Sequence, residues 1–160
     1  DLSDLFRISL QDSRQSSTLQ DEITLCERYL RIEQHRLGDR LHVDWQLNAV
    51  PMDAILPALS LQPLLENAIY HGIETLANGG LIRLTATEMD NSICITIENP
   101  VSESTTPGQQ HTGNQIAQEN ISQRLSAFFS QPRLLQVVQV DNLYRVTLTI
   151  PYPYENTDRR

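Results

Sequence analysis

Twice in this chain a run of alternating apolar residues stops at the dipeptide Asp-Asn and then resumes. Residues 81–89 and 92–99 flank Asp90-Asn91, and residues 133–140 and 143–152 flank Asp141-Asn142. Period-two alternation puts every second side chain on one face of a strand, and a short Asp- or Asn-bearing break between two such runs signals a hairpin. A further run over 41–47 alternates Leu41, Val43, Trp45 and Leu47, a half-buried strand. Hairpin-paired strands with helical segments between them predict an α+β fold. We expect a two-layer α/β sandwich with a mixed, mostly antiparallel sheet and helices on one face.

The helical segments follow from 3.6-residue spacing. Residues 2–10 carry Leu2, Leu5, Phe6, Ile8 and Leu10 as a stripe. A second helix begins at Thr18 or Asp21, carries Ile23, Leu25, Cys26, Tyr29, Leu30, Ile32 and Leu37, and stops at Gly38. A third covers 59–74, with Leu61, Leu64, Leu65, Ala68 and Ile69 on its apolar face. Asn67, Tyr70, His71 and Glu74 follow at i, i+3, i+4 and i+7 and share another face. Residues 101–115 show no periodicity, as in a functional lid or a disordered loop. A last helix over 115–129 aligns Ile116, Ile121, Leu125 and Phe128.

Composition removes several functions. All twelve basic residues are arginine, which excludes a Walker-type phosphate loop and Schiff-base chemistry. A net charge of −8 argues against broad nucleic-acid binding. No run approaches the roughly 20 apolar residues of a membrane span, and no signal-peptide pattern opens the chain. Cys26 and Cys94 read as reduced core thiols, and His35, His42, His71 and His111 show no metal spacing. At 160 residues one compact domain is expected. The abrupt opening at Asp1 leads us to expect a piece of something larger.

The residues alone nominate three places for chemistry. The Asn67 carboxamide can bind Mg²⁺ that already carries phosphates, His71 one turn later can donate to the same phosphates, and neighbouring Glu66 can hold a water. From these residues alone, a solvated polar helix face is the plainer reading. Gly113, ahead of a helix starting near Gln115, offers backbone N–H groups to an anion, or is a plain turn. Arg124 lies well inside that helix and reads as a structural pair or cap. Glu98 at a strand end can accept from an exocyclic amine, or is an exposed acid.

Taken in order, these segments resemble one family. The text LQPLLENAIYHG at 61–72 is very similar to the N box of LytS/YehU-type sensor histidine kinases, whose ATP-binding domain belongs to the GHKL superfamily, the Bergerat fold. The flanking texts LSDLFRISL, EITLCERYLRIEQHRLGDRL and GNQIAQENISQRL and the closing TIPY agree, so the resemblance spans residues 2–152. Within the family, ENP and GNQIAQEN look most like AlgZ/FimS-type alginate and motility sensors, which work with a LytTR-class response regulator.

The resemblance implies an ATP-binding catalytic domain over 19–154, preceded by the tail of a dimerisation helix region at 1–18 and followed by a tail at 155–160. It implies ATP and Mg²⁺ as cofactors, Asn67 as metal ligand, and Glu66 and His71 as catalytic groups. Tyr70, Glu98, Asn99, Gly113, Asn114 and Asn120 join Asn67 and His71 in the implied nucleotide-binding set, with Glu98 where the family's D-N-G box has its aspartate. The implied partners are upstream helices bearing the phospho-accepting histidine, a LytTR-type regulator and a second copy of the full-length protein. The implied location is the cytoplasmic side of a bacterial inner-membrane sensor.

Two departures stand out. The D-N-G box reads Glu98-Asn99-Pro100, and the glycine box G-x-G-I-G-L reads Gly113-Asn114-Gln115-Ile116-Ala117-Gln118. Side chains at Gln115 and Ala117 occupy space that glycine leaves for phosphate, so a looser cradle is expected. No H-F-x-F-N-type acceptor motif is present, so the chain alone is expected to be inactive as a kinase. The alternative reading is a nucleotide-binding-deficient GHKL scaffold acting by interaction or dimerisation. A chaperone- or topoisomerase-type ATPase is disfavoured, because its general-base position is Pro63.

Overall fold

The structure, a computed structural model, describes residues 15–103 and 112–153, and within its last helix describes side chains from Gln115 onward. The stripe at 2–10, most of the lid segment and the tail at 155–160 lie outside the described residues, as do the side chains of Gly113 and Asn114. The elements are β1 (Ser16–Thr18), α1 (Leu19–Leu37), β2 (Leu41–Leu47), β3 (Ile55–Pro57), α2 (Gln62–Asn67), β4 (Gly80–Met89), β5 (Ser92–Pro100), α3 (Thr112–Phe129), β6 (Leu135–Val140) and β7 (Leu143–Pro151). Five strands form one sheet in the order β2-β4-β5-β7-β6. Only β2 and β4 run parallel, joined by the crossover that carries α2. The expected mixed, mostly antiparallel two-layer architecture is therefore found.

Both Asp-Asn breaks are tight hairpins. Asp90 and Asn91 take φ of 39° and 60°, and Asp141 takes 52°, values that short Asx side chains tolerate. At the start of α1 the Thr18 hydroxyl accepts from the Asp21 N–H at 3.1 Å, and Gly38 closes the helix at φ 58°. Alternation resolves the sheet into two unlike faces. Ile82, Leu84 and Ala86, Ile93, Ile95 and Ile97, and Val146, Leu148 and Ile150 are buried beneath the helices. The intervening Arg83, Thr85, Cys94, Thr96, Glu98, Arg145 and Thr147 lie on the other face and are partly or fully exposed.

Several expectations need correction. Cys26 is a core thiol, but Cys94 sits half-buried on the outer sheet face, in phase with Thr96. Ile32 and Ile116 are exposed at 66% and 54%, so neither belongs to its helix's buried stripe. Residues 50–60 are more than a loop. There β3 pairs antiparallel with β1, which ties residues 16–18 to the chain just ahead of α2.

The helix expected over 59–74 is composite. Six α residues are followed by a π turn at Ala68–Gly72 and a 3₁₀ turn at Ile73–Thr75. At about 3.6 residues per turn, side chains spaced by four drift around an α-helix. The wider π turn offsets that drift. Leu65, Ile69 and Ile73 can thus all stay buried, at 0%, 2% and 0% exposure.

Candidate functional site

The segment 62–75 is held at both ends by side chains from elsewhere. No side chain of its own caps α2. Instead the Glu22 carboxylate of α1 accepts from the N–H groups of Leu59, Ser60 and Leu61 at 2.8, 3.0 and 3.2 Å. At the far end Arg40 donates to the carbonyls of Glu74 and Leu76 at 3.3 and 3.1 Å. Arg36 pairs with both Glu33 and Glu74, a further tie between α1 and this segment. Burial raises the Glu22 carboxyl above the usual glutamate range and outweighs the three backbone donors that favour its charge.

Along this segment the structure brings Glu66, Asn67, Ile69, Tyr70 and Glu74 together with Tyr29 and Arg36 of α1 around a cleft of about 380 Å³. Glu66 accepts from the Gln62 amide at 3.2 Å. Burial, with the nearby carboxylates of Glu33, Glu66 and Glu74, pushes the Tyr29 phenol well up, so it stays a neutral donor. His71 lies outside the cleft lining and packs edge-on against Tyr70, ring centroids 4.8 Å apart. The cleft separates α1 from the N-box segment. It is therefore not the space between that segment and the lid where the resemblance puts a nucleotide.

Asn67 borders this cleft and carries one telling feature: its Nδ2 is buried without a hydrogen-bond partner. A buried amide left unpaired costs free energy of about 1–3 kcal/mol, so such a group in a folded protein commonly meets a water, an ion or a ligand. No cluster of three or more metal-ligating side chains exists among the described residues. One neutral carboxamide beside one carboxylate suits a magnesium ion whose remaining ligands are phosphates and waters, and fits poorly with an all-protein cage.

Glu98 and Asn99 part company. Glu98 lies on the outer face of β5, opposite Arg83 and Arg145, and its carboxylate is 3.4 Å from the Arg145 guanidinium. That position corrects its assignment to the nucleotide side, since the sheet separates it from Asn67. Asn99 is the member of the box that faces the helices, 3% exposed. Its Nδ2 donates to the Pro100 carbonyl at 3.0 Å and lies against Gly72, where a Cβ would overlap it. The signal was present in the sequence, because Asn99 continues the phase of Ile93, Ile95 and Ile97.

The lid-side expectations also shift. The last helix starts at Thr112, so Gly113 is its second residue and does not precede it. Asn120 is exposed on α3, while Gln118 is buried and donates to the Tyr144 hydroxyl. Arg124 donates to the carbonyls of Ala58 and Leu59, the structural capping role expected for it. Sequence reasoning missed Glu22, Arg40 and Gly72. Glu22 could have been found, as it sits in the stripe of Leu19, Ile23, Cys26 and Leu30.

Solved structures share this architecture. The histidine kinase AdeS of Acinetobacter baumannii superposes with a TM-score of 0.64 at 15% identity, covering 97% of this chain and 77% of that one. The catalytic domain of histidine kinase ThkA gives 0.55 at 15% identity, over 86% and 94% of the two chains. ThkA in complex with the response regulator protein TrrA gives 0.59 at 14% identity, over 97% and 48%. The fold is that of histidine kinase catalytic domains, the GHKL class.

Sequence relatives narrow this further. A family model described as histidine kinase matches residues 1–41. Sensor histidine kinase YesM of Bacillus subtilis is 29% identical over 154 residues, 92% of this chain and 26% of that protein. Sensor protein LytS of Oceanobacillus iheyensis is 28% identical over 168 residues, 94% and 28%. The chain is a homologue of the sensor histidine kinases, and it spans about a quarter of the length of these relatives.

Proposed function

We propose that this chain is the ATP-binding catalytic part of a LytS-type sensor histidine kinase, with AlgZ/FimS-type sensors as its nearest functional kin. In this reading it holds Mg-ATP against the N-box segment and presents the γ-phosphate to a histidine on upstream dimerisation helices. The phosphoryl group then passes to a LytTR-type response regulator, and the full-length protein is a dimer at the inner membrane. When bound, the metal neutralises phosphate charge during transfer, a reaction governed by positioning and electrostatics. The Asn67 carboxamide would hold it, with Glu66 orienting a water and His71 donating on the phosphate side. Asn99, facing the helices, takes the base-recognition role that Glu98 cannot reach, and a carboxamide can both donate to and accept from an adenine edge.

The observation that carries this reading is the placement of Asn67 beside Glu66 on the N-box-like segment of a histidine kinase catalytic fold: a metal would take the carboxamide oxygen, and the unpaired Nδ2 is left as a donor for a phosphate oxygen or a water. A scaffold role has one observation in its favour. Residues 112–118 run as helix, where the family's glycine box would supply a flexible phosphate-binding loop.

Calorimetric titration of the purified chain with ATP and Mg²⁺ separates the two. Saturable binding, weakened by about tenfold or more in Asn67→Ala and in Asn99→Ala but unchanged in Glu98→Ala, supports the nucleotide site. No binding in the parent chain at millimolar ATP supports the scaffold.

A further inference from the structure

The four residues that lead into the N box, Ala58 to Leu61, are gripped from three elements at once. The Ala58 N–H donates to the Gln15 carbonyl at 3.1 Å, continuing the β1·β3 ribbon. Its carbonyl and that of Leu59 accept from Arg124 of α3. The next three N–H groups converge on Glu22, whose side chain is 2% exposed. The Ser60 hydroxyl closes the turn onto the Pro57 carbonyl at 2.6 Å. Leu59 holds φ of 56°, a left-handed conformation that costs an L-residue about 1–2 kcal/mol and persists only where its surroundings over-determine it. Burying a carboxyl group is expensive in its own right. Neither feature is needed merely to start a helix, since a Ser or Asp at the cap would serve.

We propose that Glu22 is a positioning residue for the nucleotide site: by clamping the backbone of residues 59–61 it fixes where the N-box segment starts, and so where the Asn67 carboxamide stands. Asn67 lies only six residues beyond Leu61 on the same helical segment. A shift of the clamped turn is therefore carried directly to that side chain. Arg124 is the counterpart from α3, so α1 and α3 act on one turn. The inference rests on the reading that Asn67 meets nucleotide-borne metal.

The decisive variant is Glu22→Gln, which keeps shape and one acceptor but turns an amide NH₂ toward backbone donors. Mg-ATP titrations of the purified chain would be run on the parent, Glu22→Gln, Asn67→Ala and the double variant, with matching ATP titrations in EDTA. The inference expects Glu22→Gln to weaken Mg-ATP binding by about tenfold while metal-free ATP binding changes less than twofold. It also expects the double variant to bind no worse than Asn67→Ala alone, because both changes remove one interaction. Arg124→Met, which leaves Glu22 intact, should show the same metal-dependent loss and serves if Glu22→Gln does not fold. Variants that melt earlier yet bind Mg-ATP like the parent, or losses that add to that of Asn67→Ala, overturn the inference and leave the nucleotide site standing. A parent chain that binds no ATP overturns the nucleotide reading, and this inference with it.

Discussion

The two faces of the sheet are built from alternate residues of the same strands, yet they do different work. On β5 the helix-covered face carries Ile93, Ile95, Ile97 and then Asn99, all buried. The other face carries Cys94, Thr96 and Glu98, and across neighbouring strands it aligns Asp44, Arg83, Glu98 and Arg145 in one row. The first face ends in a neutral amide set against Gly72, and the second in a ladder of alternating charge. Adjacent positions 98 and 99 thus belong to different environments. A polar residue's role here depends less on its type than on the phase of the strand that bears it.

The two faces should differ most in the core. Ile97→Ala should destabilise the chain by about 2–5 kcal/mol, whereas Thr147→Ala on the opposite face should cost less than about 1 kcal/mol. Urea unfolding of both variants checks this, and equal losses would mean the faces are not distinct. Next in size is Gly72→Ala, whose new methyl group would overlap the Asn99 carboxamide. We expect a loss of about 1–3 kcal/mol. It should shrink when Asn99→Ala is introduced as well, and a double-mutant cycle measures that relief.

A subtler effect concerns Glu22, the one charged side chain buried on the helix side of the sheet among the described residues. Its folded pKa lies above the unfolded one because of burial. The native state therefore binds more protons between those values, and this group's contribution is full below the unfolded pKa and lost as pH rises through the folded one. The stability of the parent relative to Glu22→Gln should accordingly fall as pH climbs above the ordinary glutamate range. Unfolding titrations at several pH values test the sign. The smallest effect belongs to the outer ladder. Glu98→Gln removes the pair with Arg145, whose side chain is 48% exposed, and should cost at most about 1 kcal/mol, less still in high salt.

Much of the fold was legible in residue order. The Asp-Asn turns, the alternation of four sheet strands and of β2, and the caps of α1 are local features, and each appears where expected. The buried apolar residues of the segment 61–69 were equally readable, as was the structural part played by Arg124. The short ribbon of β1 and β3 was not. Three-residue strands show too little periodicity to stand out, and their partners lie about 40 positions apart.

By itself the sequence determined which segments are strands or helices, because periodicity, turn chemistry and capping act within a few residues. It also carried the resemblance to an N box at 61–72 and, through the phase of Ile93, Ile95 and Ile97, the inward placement of Asn99. Tertiary structure alone decided that β2 lies parallel beside β4, that the N-box segment widens into a π turn, and that Glu22 and Arg124 meet on one loop. Those outcomes depend on contacts between residues 37 to 66 positions apart. A charged side chain on a helix looks solvated until the fold brings it the backbone donors or acceptors that make its burial tolerable.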